Sequence, residues 1–121
     1  MLKNDFFNII LSEEKPDCFI FEIKFNPKHK IYDGHFPANP VVPGVCLVQI
    51  IKELTEEITR TKLMLVSSEN IKFLNAINPV KTGSVNIEIS VNRSDSRISV
   101  KAKIYGGAIL FLKCKCIYHA E

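Results

Sequence analysis

The stretch Gly34-His-Phe-Pro-Ala-Asn-Pro-Val-Val-Pro-Gly-Val45 decides how the rest of this chain folds. Each of its three prolines fixes its own φ and favours an extended conformation for the residue before it. The stretch leads directly into Cys46–Leu54, the most helix-like apolar segment of the sequence. Because proline is tolerated in the first turn of a helix, we predict a stiff, extended segment after His35 and a helix that begins near Pro43. Such a segment can hold a titratable side chain at a fixed distance from a helix N-terminus.

Length and composition are those of a globular domain. The 121 residues suit one domain, 1–121, and 46% of them are apolar, enough for a core of its own. The net charge of +3 is too mild to indicate a nucleic-acid-binding protein, and no apolar run approaches the length of a membrane span. No signal peptide is evident, since Asn8 and the acidic residues after it interrupt the apolar N-terminal region. We therefore predict a cytoplasmic protein with neither nucleic-acid nor membrane partners.

The cysteines indicate neither a metal site nor a disulfide framework. The four are Cys18, Cys46, Cys114 and Cys116, and no pair has the C-x-x-C spacing. Cys114 and Cys116 lie two apart on a predicted strand, so both side chains point to the same face as small core residues. We predict free thiols and no bound metal.

The remaining sequence predicts an antiparallel sheet against one long helix, an α+β architecture. The helix is expected over residues 43–60, apolar on almost every side in its first half and emerging into solvent in its polar second half. Gln49 is the lone polar residue in the half expected to be buried. A short N-terminal helix is expected over residues 1–11, followed by a turn at 12–17. Apolar alternation predicts strands at 18–25, 63–66, 70–74, 85–91, 98–104 and 110–116.

The opening motif resembles that of a known enzyme family. His-Phe-Pro at residues 35–37, Pro40, and Pro-Gly-Val at residues 43–45 match every specified position of the motif His-Phe-Pro-x-x-Pro-x-x-Pro-Gly-Val. This motif is typical of the hotdog-fold β-hydroxyacyl-acyl-carrier-protein dehydratases. Residues 73–83 resemble the later segment in which that family carries a Phe, a Pro-Val and a Gly that opens the next strand. The resemblance extends from Cys18 to Tyr118 and implies an antiparallel sheet wrapped around one long central helix.

The resemblance also implies partners and site residues. It implies a homodimer with a continuous sheet, or a higher oligomer, with two sites at the dimer interface. It implies a substrate tethered to acyl carrier protein by phosphopantetheine, and no other cofactor. The catalytic histidine falls on His35, and substrate contacts fall on Phe36, Pro43, Gly44 and Val45.

The chemistry of dehydration gives these residues roles. A neutral histidine such as His35 is a suitable base for the C2 proton near neutral pH. Backbone N–H groups at a helix N-terminus can stabilise the charge that builds on the thioester oxygen, and the amides of Gly44 and Val45 are the candidates. Gly44 also permits close approach of the thioester because it has no side chain.

One position departs from the family pattern. The family carries a Glu or Asp fourteen positions after the histidine, and this chain carries Gln49 there. A neutral amide cannot give a proton to the leaving hydroxyl, although it can donate and accept hydrogen bonds. We expect Gln49 to reach in from the partner subunit, near the turn that contains Val45, and to orient the hydroxyl or a water while His35 carries the proton. Its alternative role is that of a buried amide satisfied by backbone groups.

The leading functional prediction is dehydration of 3-hydroxyacyl thioesters on acyl carrier protein. An acyl thioesterase is a second enzyme hypothesis, because hotdog proteins also carry out that reaction. A non-catalytic acyl-binding subunit, paired in a heterodimer with an active dehydratase, is the hypothesis from a different class, and Gln49 favours it. Acyl chain length, pathway, and the choice between carrier protein and CoA stay open. Four lysines are candidates for attracting an acidic carrier protein, namely Lys28, Lys30, Lys72 and Lys81.

Overall fold

A computed structural model describes residues 1–34 and 38–121. The helix α1 spans Gly44–Thr59, and a short 3-10 turn spans Lys30–Tyr32. The strands are β1 (Phe7–Glu14), β2 (Phe19–Phe25), β3 (Leu63–Phe73), β4 (Ser84–Ser94), β5 (Arg97–Gly106) and β6 (Ile109–Ala120). They form one antiparallel sheet in the order β1-β2-β4-β5-β6-β3, which leaves β1 and β3 at the edges.

The helix α1 and the inner face of the sheet share one hydrophobic core. The helix contributes side chains that are fully buried, among them Ile50, Ile51 and Leu54. This confirms the predicted α+β architecture of a sheet around one long helix. Within the described ranges, no helix is both long enough and apolar enough to cross a membrane.

The strands predicted from apolar alternation are confirmed. In β2 the buried Phe21, Ile23 and Phe25 alternate with less buried polar residues, so one face of the strand lies on the core. Cys114 and Cys116 of β6 are both buried on the inner face, as predicted. The two segments predicted at 63–66 and 70–74 are one strand, β3, whose pairing with β6 shifts register twice.

The predicted N-terminal helix is wrong. Residues 7–14 form the edge strand β1, which pairs with β2 along its length, and the predicted turn at 12–17 begins only after Glu14. Phe6 and Phe7 are both fully buried. The free backbone edge of β2 and this burial outweigh the local helical pattern, because strand propensity depends on such tertiary context. A turn precedes β1, in which the Phe6 N–H donates to the Leu2 carbonyl at 2.7 Å.

The burial of α1 also differs from the prediction. Val45, in the half expected to be buried, is 76% exposed, whereas Thr55 and Thr59, in the half expected to reach solvent, are buried. The Thr55 hydroxyl donates to the Ile51 carbonyl at 2.7 Å and the Thr59 hydroxyl to the Thr55 carbonyl at 3.0 Å. Because helix carbonyls satisfy these hydroxyls, the threonines can be buried without leaving an unpaired polar group.

An apolar surface runs along the β3 edge beside the start of α1. We call it the apolar edge strip, and it consists of Val45, Met64, Leu65 and Val66, each between 41% and 76% exposed. Exposed apolar side chains on an edge strand invite pairing with another chain, since the strand also carries unpaired backbone groups.

Candidate active site

The N-terminus of α1 offers two backbone donors that have no partner within the helix. Pro43 is the N-cap, with extended φ −62° and ψ 139°, and its side chain makes no capping hydrogen bond. The N–H groups of Cys46 and Leu47 donate to the Pro43 carbonyl at 3.0 and 3.2 Å. Gly44 and Val45 precede them as the first helical residues, so their N–H groups have no partner within the helix. The helix dipole adds partial positive charge at the same place, which suits a developing oxyanion.

A hollow of about 310 Å³ lies beside these donors. It is bounded by the extended segment before α1, by the first turn of the helix and by the loop after β3. The Val42 N–H donates to the Ile77 carbonyl at 2.9 Å, which joins the two walls. The lining residues are mostly apolar: Val41, Val42, Gly44, Leu47, Phe73, Leu74, Asn75, Ala76 and Ile77.

Gly44 is required by the close packing of an aromatic ring. A Cβ built on Gly44 would lie 2.7 Å from Cε1 and 2.9 Å from Cζ of Phe73, closer than real Cβ contacts. Phe73 itself is 56% exposed, so its ring forms a movable outer wall of the hollow. The Phe73 ring therefore packs directly against the bare backbone of Gly44.

Gln49 lines a different cavity from Gly44. It is half-buried in a groove of about 300 Å³ between α1 and the ends of β3 and β6. Val45 lines the same groove, as expected from its place one turn earlier, but none of the described residues lines both the groove and the hollow. Within one chain the two predicted parts of the site therefore open to different places. The groove meets the apolar edge strip, since Val45, Met64 and Leu65 belong to both.

The amide of Gln49 is satisfied by a carboxylate rather than by backbone groups. Its Nε2 donates to Oε2 of Glu53 at 2.9 Å. The alternative of an amide satisfied by the backbone is therefore wrong. A glutamine and a glutamate four residues apart on a helix lie on the same face, so the spacing of Gln49 and Glu53 in the sequence could have predicted their contact.

Glu53 is a buried carboxylate that sequence reasoning missed. It is only 2% exposed and accepts hydrogen bonds from the backbone N–H groups of Leu2, at 2.8 and 3.0 Å, and Lys3, at 2.9 Å. Burial acts to raise the pKa of the Glu53 carboxyl, but the hydrogen bonds from Gln49, Leu2 and Lys3 outweigh it and hold the pKa below its usual value. Glu53 is therefore ionised at neutral pH.

Two predicted site residues, His35 and Phe36, lie outside the described residues. Their roles stay predictions from the motif. Among the residues that are described, no group of three His, Cys, Asp or Glu side chains could hold a metal ion.

A cluster of positive charge covers the outer side of β3, β5 and β6. We call it the lysine face, and it consists of Lys72, Lys101, Lys103, Lys113 and Lys115. Lys101 lies directly opposite Lys115 on the neighbouring strand, and Lys113 lies opposite both Lys103 and Lys72. Like charges in direct cross-strand register are unfavourable, and two carboxylates offset part of this repulsion: Glu88 pairs with Lys103 at 3.5 Å, and Glu69 lies opposite Lys115 on β3. Of the lysines singled out from the sequence, only Lys72 belongs to this face.

Comparison with family models places most of the chain in one group. Residues 11–107 match the model of the ApeI-like family, described as ApeI dehydratase. The match includes both the motif that holds His35 and the helix that holds Gln49.

Curated relatives point to the same group. The chain is 29% identical over 86 residues to 3-hydroxyacyl-[acyl-carrier-protein] dehydratase FabZ of Rickettsia massiliae, a match that covers 60% of this chain and 59% of the relative. It is 32% identical over 77 residues to FabZ of Caulobacter vibrioides, covering 55% and 46%. The chain thus spans about half the length of the curated relatives it matches.

Solved structures confirm the hotdog fold. One similar structure is the dehydratase heterocomplex ApeI:P from Xenorhabdus doucetiae, with a TM-score of 0.73, 17% identity, and coverage of 92% of this chain and 96% of that one. Another is a probable thioesterase from Bartonella henselae, with a TM-score of 0.65, 14% identity, and coverage of 85% and 89%. At such identities the likeness concerns the fold alone.

Proposed function

Because the chain belongs to the ApeI-like dehydratase family, we propose that it dehydrates 3-hydroxyacyl thioesters carried on acyl carrier protein to trans-2-enoyl thioesters. The observation that carries this proposal is the start of α1. The N–H groups of Gly44 and Val45, which have no partner within the helix, begin α1 directly after the motif that contains His35, and Gly44 lines a mostly apolar hollow. The FabZ relatives bear the same activity in their names, which supports the choice of substrate.

In the proposed reaction His35 removes the proton from C2 of the acyl chain. Negative charge moves onto the thioester oxygen, where the N–H groups of Gly44 and Val45 donate hydrogen bonds to it. The electron pair then returns to form the C2–C3 double bond as the C3–O bond breaks. The hydroxyl leaves as water with the proton that His35 took up, so atoms and charge balance without a second acid. Gln49 contacts the hydroxyl rather than protonating it.

We propose that the site is completed by a second hotdog chain, either a second copy or a different one. The apolar edge strip and the unpaired edge of β3 support pairing of two β3 strands into a continuous sheet. Such pairing would bring the groove of one chain, with Gln49, toward the hollow of the other. The similar structure ApeI:P is named as a heterocomplex, and therefore a different hotdog chain is a specific alternative to a second copy of this chain.

The test of the function is the loss of one water from a defined substrate. Carrier protein loaded with a 3-hydroxyacyl chain is incubated with the protein, and the acyl-carrier mass and the free thiol are both recorded. We expect the mass to fall by one water with no thiol released. Released thiol would show a thioesterase instead. An unchanged substrate, with activity appearing only when a second hotdog chain is added, would show the non-catalytic subunit.

The lysine face is the proposed docking surface for the carrier protein. Lys72 directly precedes Phe73, whose ring covers Gly44, so the lysine face reaches the end of β3 that walls the hollow, from the opposite side of the sheet. We expect Lys101→Gln combined with Lys113→Gln to raise KM for the carrier-borne substrate about tenfold, because electrostatic attraction to an acidic partner is lost. The same acyl chain on pantetheine should react with unchanged KM.

Two exposed lysines outside this face provide the control. Lys24→Gln combined with Lys62→Gln removes the same charge from other parts of the surface. An equal rise in KM for both double variants would mean that only net charge matters and that the lysine face is not a docking surface.

A further inference from the structure

We propose that Glu53 is a positioning residue that fixes the Gln49 side chain so that its carbonyl oxygen, not its amide nitrogen, is presented to the substrate. The inference rests on the proposed function, because it assigns an atom-level role to the pair of side chains at the family's acid position. It starts from the one side-chain hydrogen bond that Gln49 makes within the described residues, from its Nε2 to Oε2 of Glu53 at 2.9 Å.

Glu53 is itself held rigidly. Oε1 accepts from the N–H groups of Leu2 at 3.0 Å and Lys3 at 2.9 Å, and Oε2 accepts from Leu2 at 2.8 Å as well as from Gln49. Both carboxylate oxygens are therefore engaged, and the side chain is 2% exposed. A buried group with four such contacts cannot rotate freely without losing hydrogen bonds that burial makes costly to lose.

The charge of Glu53 decides which way the Gln49 amide points. An ionised carboxylate is an acceptor only, so it must face the NH₂ group of the amide. The opposite orientation would set the Gln49 carbonyl oxygen against a carboxylate oxygen, with two acceptors in contact and no proton between them. The Gln49 carbonyl oxygen is consequently left for the groove that Gln49 lines with Val45.

An acceptor at this place suits a reaction with one proton-transfer group. The 3-hydroxyl of the substrate donates its own O–H to the Gln49 carbonyl oxygen. Lone pairs on the hydroxyl oxygen then remain free for the proton that His35 has taken from C2. The C3–O bond breaks as that proton arrives, and water leaves. Glu53 thus acts through Gln49 and touches no reacting atom.

The experiment is a double-mutant cycle that exchanges the two side chains. The variants are Gln49→Glu, Glu53→Gln and the double exchange, with Glu57→Gln as the control. Glu57 lies on the same helix one turn later and pairs with the Lys3 side chain instead of Gln49. For each, kcat, KM and Tm are measured between pH 4 and pH 8.

Each single variant should lower kcat about tenfold with little change in KM. In Glu53→Gln the new amide can still accept from Leu2 and Lys3, but it no longer dictates the orientation of Gln49. In Gln49→Glu two carboxyls meet and share one proton, which Glu53 binds rather than the substrate. The pKa of that pair is raised above its value in the unfolded chain, so the Tm penalty should be small at pH 4 and grow as pH rises.

The double exchange should restore what the single variants lose. The amide introduced at position 53 donates to the carboxylate introduced at position 49, as Gln49 now donates to Glu53, and kcat should rise at least tenfold above that of Gln49→Glu. If the wild type is active and the effects of the two single substitutions on kcat simply add in the double variant, the positioning role is overturned while the proposed function stays intact. A wild type that dehydrates no substrate would overturn the function, and the catalytic role of the pair with it. Glu57→Gln should leave kcat unchanged, and a tenfold loss there would also overturn the proposal.

Discussion

Replacing His35 with alanine is expected to lower the rate of 3-hydroxyacyl dehydration by a factor of about 10² to 10⁴, the usual contribution of a general acid–base residue. The loss should fall at the upper end of that range because one imidazole serves both proton transfers in the proposed reaction. An enzyme with a separate base and acid would keep the second proton transfer after its histidine is replaced. The measurement is kcat on carrier-borne substrate, followed by the loss of one water.

A second histidine on the surface of the sheet serves as the control. His119 lies on β6 outside the motif, opposite Met64 and Arg97 on the neighbouring strands. His119→Ala should keep wild-type kcat. If His35→Ala kept more than a tenth of the wild-type rate, His35 would not be the base, and the motif would have a structural role only.

The substitution Gly44→Ala is expected to lower kcat/KM about a hundredfold while the chain still folds. The added Cβ would lie 2.7 Å from Cε1 of Phe73, and the methyl group would stand beside the N–H group to which the thioester oxygen is proposed to bind. The ring is an exposed, movable wall, so the fold can adapt at small cost. The position of the thioester cannot adapt in the same way without loss of rate, because a displacement of about 1 Å at a reacting centre can lower the rate by a factor of about 10². Tm measured alongside kcat/KM separates the two effects.

A double variant distinguishes the two ways in which the methyl group could act. Gly44→Ala combined with Phe73→Ala removes the steric conflict with the ring but leaves the methyl group at the amides. We expect activity to stay low in this variant. Recovery to the level of Phe73→Ala alone would mean that the ring position, and not access to the backbone, limits the reaction.

The sheet and the helix were predictable because each signal was local. Alternating burial in β2, and the proline-rich entry to α1, follow from side-chain direction and from the fixed φ of proline, which neighbouring residues determine. The same holds for the free amides at Gly44 and Val45, since any helix start has them. The start of α1 was therefore located correctly, while the roles of its amides stay predictions.

Features that depend on distant partners were not predictable. Residues 7–11 have a helical pattern but belong to a strand, because the edge of β2 supplies their hydrogen bonds. From the sequence, Glu53 is expected to face solvent in the polar second half of α1. In the structure, Leu2 and Lys3, about fifty positions away in the sequence, cover Glu53, and their N–H groups stabilise its negative charge. The lysine face likewise arises only when β3, β5 and β6 are brought into register.

A second chain bound at the apolar edge strip would link the stability of this chain to the concentration of its partner. If a second hotdog chain covers Val45 and the exposed side chains of β3, association stabilises the folded state by mass action, and each tenfold rise in partner concentration well above Kd adds about 1.4 kcal/mol. Folding, assembly and completion of the site would then be one equilibrium. Dilution would lower activity and melting temperature together, so the amount of protein in a compartment would itself regulate the reaction.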